Sequence, residues 1–185
     1  MSNVQTGPVV GDHVTLNDPA FIHDTAIIHG NVKLEEGSSV WPYVVFRAEM
    51  FEVVIGARSN IQDRVMVHVG NHTGTYVGED CSIPHKVCLH GCTIGDRCLI
   101  GIGATIMDGA KIGANSIVAG HSIVTENSEI PENSIIAGVP AKLVGTRDCG
   151  DANLINARFY LRNAQNMAKG IDRFSEDDVK FMISS

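Results

Sequence analysis

The chain has 185 residues, a net charge of −7, a pI near 5.5 and 44% apolar residues, enough for one domain with a buried core. The acidic balance argues against an electrostatic nucleic-acid binder, and no stretch approaches the roughly 20 apolar residues of a membrane span. The first twenty residues lack the pattern of a secretory signal, and the five cysteines fit no disulfide framework. We therefore expect a cytoplasmic protein with no nucleic-acid or membrane partner.

A six-residue repeat begins near residue 22 and dominates the chain. A large apolar residue recurs every six positions, and a smaller residue follows it four positions later. This spacing predicts a short strand followed by a tight corner, so that three units close a coil of about eighteen residues. The nineteen phased positions predict an all-β prism of parallel strands with about six coils. They are Ile22, Ile28, Leu34, Val40, Phe46, Ile55, Ile61, Val67, Val77, Ile83, Leu89, Ile94, Ile100, Ile106, Ile112, Val118, Val124, Ile130 and Ile136.

Three irregularities interrupt this repeat. Residues 47–54 and 68–76 are predicted insertions, and the phase slips by one residue between Ile83 and Ile94. Functional residues are commonly carried on loops of a regular scaffold. These three places are therefore where a site is expected.

The repeat ends near residue 136, and a different pattern follows. Residues 151–169 predict a helix with Gly170 as its C-cap, because one stripe of it is apolar: Leu154, Ala157, Leu161, Ala164 and Ala168. Phe174, Val179 and Phe181 could form one more helical turn. We therefore divide the chain into a β-helix domain with an N-terminal lead-in, residues 1–145, and a C-terminal helical tail, residues 146–185, that packs on the prism.

Three of the eight histidines lie at the irregularities. His68 and His90 are 22 residues apart, which is one coil plus an inserted loop minus the slip. They should lie on the same face in neighbouring coils, with strands roughly 4.8 Å apart. His85 lies around a corner from His90, so it could join a metal site with them only from a neighbouring subunit of a three-fold assembly. Three exposed histidines with no metal are the alternative.

Several segments resemble the γ-class carbonic anhydrase family, and the resemblance covers about residues 20–145. The matching segments are Phe46-Arg47-Ala48-Glu49, Asn60-Ile61-Gln62-Asp63, Val67-His68-Val69-Gly70, residues 85–96 and Gly138-Val139-Pro140-Ala141-Lys142. The resemblance implies a left-handed parallel β-helix and a homotrimer with metal at each subunit interface. The metal would be zinc, with iron or cobalt as alternatives.

The resemblance also implies a role for each candidate site residue. His68 and His90 of one subunit and His85 of the next would bind the metal. The metal would lower the pKa of its water toward about 7, producing hydroxide that hydrates carbon dioxide to bicarbonate reversibly. Gln62 would orient the water or the substrate. Arg47 and Asp63 would form a charged contact across the interface, or a trimer salt bridge with no catalytic part.

The chain departs from the family at four places. Arg47-Ala48-Glu49 stands where the family commonly has Arg-Gly-Asp, and Pro84 stands where it has Gly. The acidic loop that carries a proton-shuttle glutamate has no counterpart between residues 68 and 77, which predicts slow hydration. Tyr160 and Met167 are both candidates for the residue that the C-terminal helix brings to the metal.

Two other functions remain open. Other hexapeptide proteins use the same prism as acyl-CoA transferases or thioesterases, which need a histidine base and a pantetheine groove between subunits. The chain could also form a non-catalytic trimeric scaffold whose metal is structural. Metal content together with exchange between carbon dioxide and bicarbonate would separate these possibilities.

Overall fold

The computed structural model describes residues 7–184, and it describes the side chains of residues 7–180. It contains twenty strands and two helices in these residues. The strands are β1 Val9–Val10, β2 Thr15–Leu16, β3 Phe21–Ile22, β4 Ile27–Leu34, β5 Ser39–Val40, β6 Val45–Ile55, β7 Asn60–Ile61, β8 Met66–His68, β9 Thr75–Val77, β10 Ser82–Ile83, β11 Cys88–His90, β12 Thr93–Ile94, β13 Leu99–Ile100, β14 Thr105–Ile106, β15 Lys111–Ile112, β16 Ile117–Val118, β17 Ile123–Val124, β18 Glu129–Ile130, β19 Ser134–Gly138 and β20 Ala141–Thr146. The helices are α1 Gly150–Met167 and α2 Glu176–Ser184.

The strands stack in parallel ladders on the three faces of a prism. The first face holds β1, the start of β4, the start of β6, β8, β11, β14 and β17. The second holds β2, the end of β4, the end of β6, β9, β12, β15 and β18, and the third holds β3, β5, β7, β10, β13, β16 and β19. The β-helix therefore has about seven coils, where the repeat predicted about six. The additional coil arises because β1 and β2 pair with β4 before the phased series begins.

The core of the prism consists of the phased residues. The large inward positions from Ile28 to Ile112 are at most 3% exposed, whereas Ile22 and Ile130, near the two ends, are only partly buried. The small inward positions fill the corners, as shown by the complete burial of Cys81, Cys98 and Ser116. The predicted six-residue phase is therefore confirmed. All five cysteines are free thiols.

The two predicted insertions have different structures. Residues 47–54 continue the single strand β6, which bends from the first face to the second, so they do not form a loop. Residues 69–74 form a loop between β8 and β9, which is closed by a hydrogen bond from the Gly70 N–H to the Thr73 carbonyl (2.8 Å). Both insertions lie beside the end of β8.

The helical tail covers the third face. Helix α1 contacts β3, β5, β7 and β10. The predicted stripe is only partly correct, because Ala157 and Ala164 are fully buried but Ala168 is exposed. Polar side chains complete the contact: the buried Asn153 side chain donates to the carbonyls of Arg97 (2.8 Å) and Ser116 (3.2 Å).

The predicted additional turn is only partly correct: helix α2 contains Val179 and Phe181, whereas Phe174 precedes it. The side chain of Phe181 lies outside the described residues. Among residues 7–184, no helix combines the length and the apolar character needed to cross a bilayer.

Candidate metal centre

His68 and His90 form the centre of the candidate site. They are direct register partners on β8 and β11, as the sequence spacing predicts. His68 Nδ1 lies 3.1 Å from His90 Nε2, and the rings meet edge to face at 5.0 Å between centroids. The side chains are 21% and 35% exposed, so the pair is open to solvent or to a second subunit.

Two charged side chains of β6 border His68. Arg47 is the register partner of His68 on the preceding coil, and its Nη2 lies 3.1 Å from His68 Nε2. Glu49 Oε2 lies 3.1 Å from the same nitrogen. A hydrogen bond of its own backbone lowers the pKa of Glu49, with smaller contributions from His68 and Arg47, so the group is a carboxylate at neutral pH. The outer nitrogen of His68 therefore faces both a donor and an acceptor.

Asp108 is a site residue that the sequence reasoning missed. Its Oδ1 is hydrogen-bonded to His90 Nδ1, and the carboxylate is about three-quarters buried. Asp108 follows His90 by 18 residues, which is one coil of the repeat, so this spacing could have predicted that the two side chains are neighbours.

His85 lies on a corner between β10 and β11, where its Nδ1 is 3.0 Å from Asp63 Oδ2. The two side chains line an open cavity of about 280 Å³ together with Pro42, Tyr43, Arg64 and Lys86. Within residues 7–184 of one chain, no three histidine, cysteine or acidic side chains are arranged to hold a metal ion. Asp63 contacts His85 within the chain, and Arg47 contacts His68 and Glu49.

Gln62 is buried, with 1% of its surface exposed. Its Nε2 donates to Asn60 Oδ1 at 2.8 Å, whereas its Oε1 accepts no hydrogen bond from the part of the chain that the structure describes. Asn60 is in turn held by donating to Ser82 Oγ (3.0 Å) and to the Cys81 carbonyl (3.2 Å). The side chain thus keeps one free acceptor in a fixed orientation.

Helix α1 places Tyr160, and not Met167, beside Gln62. Burial and the charge of Asp63 raise the pKa of the Tyr160 phenol, while a contact with the Gln62 side chain opposes the shift. Tyr160 also packs edge to face on Trp41 at 5.9 Å. Met167 lies against residues 19–24.

The spacing of His68 and His90 is compatible with two ligands of one metal ion such as zinc. Two nitrogens bound tetrahedrally at roughly 2.0–2.1 Å from zinc lie about 3.3 Å apart, and the facing nitrogens of His68 and His90 are 3.1 Å apart. His85 and His90 each have a carboxylate at Nδ1, which is the common support of a metal-binding histidine. The pair on β8 and β11 therefore offers two ligands without rearrangement of the backbone.

Comparison with known proteins places the chain in a family. The chain is 41% identical over 108 residues to protein YrdA of Escherichia coli K12, over 54% of this chain and 55% of YrdA. It is 39% identical over 94 residues to the mitochondrial gamma carbonic anhydrase 1 of Arabidopsis thaliana, over 48% of this chain and 34% of that protein. It is 35% identical over 148 residues to the carnitine operon protein CaiE of Escherichia coli O7:K1, over 80% of this chain and 74% of CaiE. The chain belongs to the γ-carbonic-anhydrase-like family of hexapeptide-repeat proteins.

Solved structures agree with the hexapeptide-repeat fold. A hexapeptide transferase family protein from Anaplasma phagocytophilum superposes with a TM-score of 0.75 at 27% identity, over 89% of this chain and 96% of that one. The matched segment spans only about half of YrdA and a third of the plant protein. No protein-family model matches the chain.

Proposed function

We propose that the protein is a zinc-dependent enzyme that hydrates carbon dioxide to bicarbonate reversibly. The observation that carries the proposal is the His68–His90 pair, whose facing nitrogens are 3.1 Å apart beside an open surface. Three imidazole ligands leave one position on zinc for a reacting molecule, as catalytic sites require. Relatives named gamma carbonic anhydrase support this chemistry.

The third ligand in this proposal is His85 of a neighbouring subunit. His85 and Asp63 stand on a corner of the prism beside an open cavity, and the other two histidines stand on a face. A homotrimer closed by three-fold symmetry would bring each corner against the next subunit's face three times. Arg47 is half exposed at this face, and in the proposed trimer it would form the charged contact with Asp63 of the neighbouring subunit that the resemblance implies.

Each of the remaining residues has a defined task in this reaction. Zinc, when bound, lowers the pKa of water and so supplies a nucleophile near neutral pH. Gln62 would orient the reacting water by accepting its hydrogen bond at Oε1, because Nε2 is already committed to Asn60. Asp63 holds His85 through Nδ1 and leaves Nε2 of that ring available. Tyr160, whose pKa is raised by burial and by Asp63, stays a neutral hydrogen-bond donor beside Gln62.

The test is isotope exchange between carbon dioxide and bicarbonate with the zinc-loaded protein, together with zinc content per chain. We expect one zinc per chain and exchange above the uncatalysed rate, with a modest rate because no shuttle glutamate stands in the 69–74 loop. Zinc-loaded protein with no exchange would contradict the proposed reaction and would leave acyl transfer or a structural scaffold as the function.

Acyl transfer from a thioester is the second candidate, and one contact favours it. The Asp63 carboxylate at His85 Nδ1 leaves Nε2 as a general base, and the hexapeptide transferase neighbour shares this prism. Acetyl-CoA turnover with and without an amine or hydroxyl acceptor, measured by release of the free thiol, distinguishes this candidate. Release by the metal-free protein at the rate of the zinc-loaded one would favour acyl transfer or thioester hydrolysis.

A further inference from the structure

The outer nitrogen of His90 is held differently from that of His68. His68 Nε2 faces the Arg47 guanidinium, which can only donate, and the Glu49 carboxylate, which can only accept. These two contacts favour opposite tautomers of His68. His90 Nδ1 faces only the carboxylate of Asp108 among the hydrogen-bond partners in the described chain. The Asp108 contact therefore selects one tautomer, with the proton on Nδ1 and a lone pair on Nε2.

That lone pair points to the place where a metal would bind. His90 Nε2 is the atom that lies 3.1 Å from His68 Nδ1. With the opposite tautomer, His90 would present an N–H group to the metal position and could not be a ligand without first exchanging its proton. The Asp108 carboxylate thus prepares His90 for metal binding before any metal arrives.

The surrounding backbone makes room for this carboxylate. A methyl group on Gly70 would lie 2.9 Å from Asp108 Oδ2 and 3.0 Å from Asp108 Cγ. A methyl group on Gly91 would lie 2.8 Å from the Gly70 Cα, and Gly91 has a φ of +58°. Two glycines of different coils therefore pack against each other and leave the space that Asp108 occupies beside His90.

We propose that Asp108 is a positioning residue that fixes His90 in the tautomer and orientation that bind the metal. This inference rests on the proposed metal site, but not on the reaction carried out there. The same contact also predicts a role for Gly70, because any side chain at that position displaces the Asp108 carboxylate from His90.

The experiment compares Asp108→Ala, Asp108→Asn and Gly70→Ala with the wild-type protein, and Asp24→Asn is the control because Asp24 is exposed on the same prism. The first readout is the ¹⁵N spectrum of the histidine rings in the metal-free protein at a pH of about 8, where an ordinary histidine is neutral. The second is zinc affinity in competition with a chromogenic chelator. A His90→Ala spectrum assigns the resonance.

We expect wild-type His90 to carry its proton on Nδ1 and Asp108→Ala to give a mixture of tautomers. Loss of the carboxylate should weaken zinc binding by about 10- to 100-fold, as for other supporting groups of metal-binding histidines. Asp108→Asn should lose less, because the amide oxygen can still accept from Nδ1, and Gly70→Ala should follow Asp108→Ala. Asp24→Asn should match the wild type.

Two results would overturn the inference: a wild-type His90 with its proton on Nε2, or an Asp108→Ala protein with wild-type zinc affinity. A wild-type protein that binds no zinc would overturn it as well, together with the proposed function. Zinc binding that depends on Asp108, without exchange of carbon dioxide, would instead support the role of Asp108 and contradict only the proposed reaction.

Discussion

Gln62 tests the difference between binding a metal and orienting a reactant. Gln62→Ala should retain zinc, because the amide is not a proposed ligand, and should lower the exchange rate by about tenfold through loss of one hydrogen bond. Zinc content and exchange are measured on the same sample. Gln165→Ala removes an exposed glutamine of α1 and serves as the control. Loss of zinc from Gln62→Ala would show that the residue supports the ligands instead.

The sequence predicted where His68 and His90 lie, but it did not predict the side chains that hydrogen-bond to the site residues. His68 and His90 were placed correctly because strand register follows directly from the coil length. Asp108 was missed because it lies in an uninterrupted part of the repeat, where no irregularity marks it. The buried orientation of Gln62 depends on Asn60 and Ser82 of two different coils, and such a chain of hydrogen bonds leaves no periodic signal.

Ser116 tests the packing of a single coil. It is fully buried at a small inward position, and its hydroxyl accepts from the Ser134 N–H at 3.0 Å. Ser116→Phe should lower the free energy of unfolding by about 1–3 kcal/mol or more, since a ring has no room there. Thermal unfolding is the measurement, and Ile123→Phe, at a position 36% exposed, is the control. Equal midpoints for the wild type and Ser116→Phe would refute the packing argument.

The Asp178 carboxylate of helix α2 binds Ser175 and Arg162 of α1, which makes the docking of α2 sensitive to acid. Asp178 accepts hydrogen bonds from the Ser175 hydroxyl (2.7 Å), the Ser175 N–H (3.0 Å) and Arg162 Nε (2.7 Å). Ser175 and Asp178 also form a capping box, because the Asp178 N–H donates back to the Ser175 hydroxyl. These contacts, with that of the Ser175 hydroxyl the largest, hold the pKa of Asp178 well below its usual value.

The sign of the pH effect follows from this lowered pKa. A carboxylate with a depressed pKa in the folded state stabilises the fold above the unfolded value, near 3.9, and the contribution is lost as the pH falls through the folded value. The protection factors of the amides in residues 171–184, which are exchange rates corrected for the intrinsic effect of pH, should therefore fall below about pH 4. Asp178→Asn should lower these protection factors already at neutral pH.

The control for this prediction is Asp177→Asn, because the Asp177 side chain is 92% exposed. Protection factors in α2 of the wild-type protein that stay constant between neutrality and the acid limit would contradict the role given to Asp178.

At the scale of the whole molecule, the fold was predictable because a six-residue period leaves few alternatives. The inward residues repeat so regularly that the corners, the stacking and the relation of His68 to His90 all follow from counting. The N-terminal coil was not predicted, because its residues lie outside the phased series. Val9 is only partly buried and Leu16 is exposed. The hydrogen bonds between α1 and the prism were not predicted, because an apolar stripe gives no information on buried asparagines such as Asn153.

The central claim is that two subunits share each metal, with His68 and His90 on one and His85 on the other. Two inactive variants can test it when they are produced together in the same cell. His85→Ala retains His68 and His90 on the face of the prism, and His90→Ala retains His85 on the corner. A mixed trimer of the two has one interface with all three ligands intact.

The most direct measurement is therefore zinc per chain in the co-produced sample, with each variant alone and the wild type for comparison. Each variant alone should bind no stoichiometric zinc, and random mixing of the two in closed trimers should restore about one quarter of the wild-type content. Mixed assemblies with no more zinc than the separate variants would contradict a shared site, as would full zinc content in either variant alone.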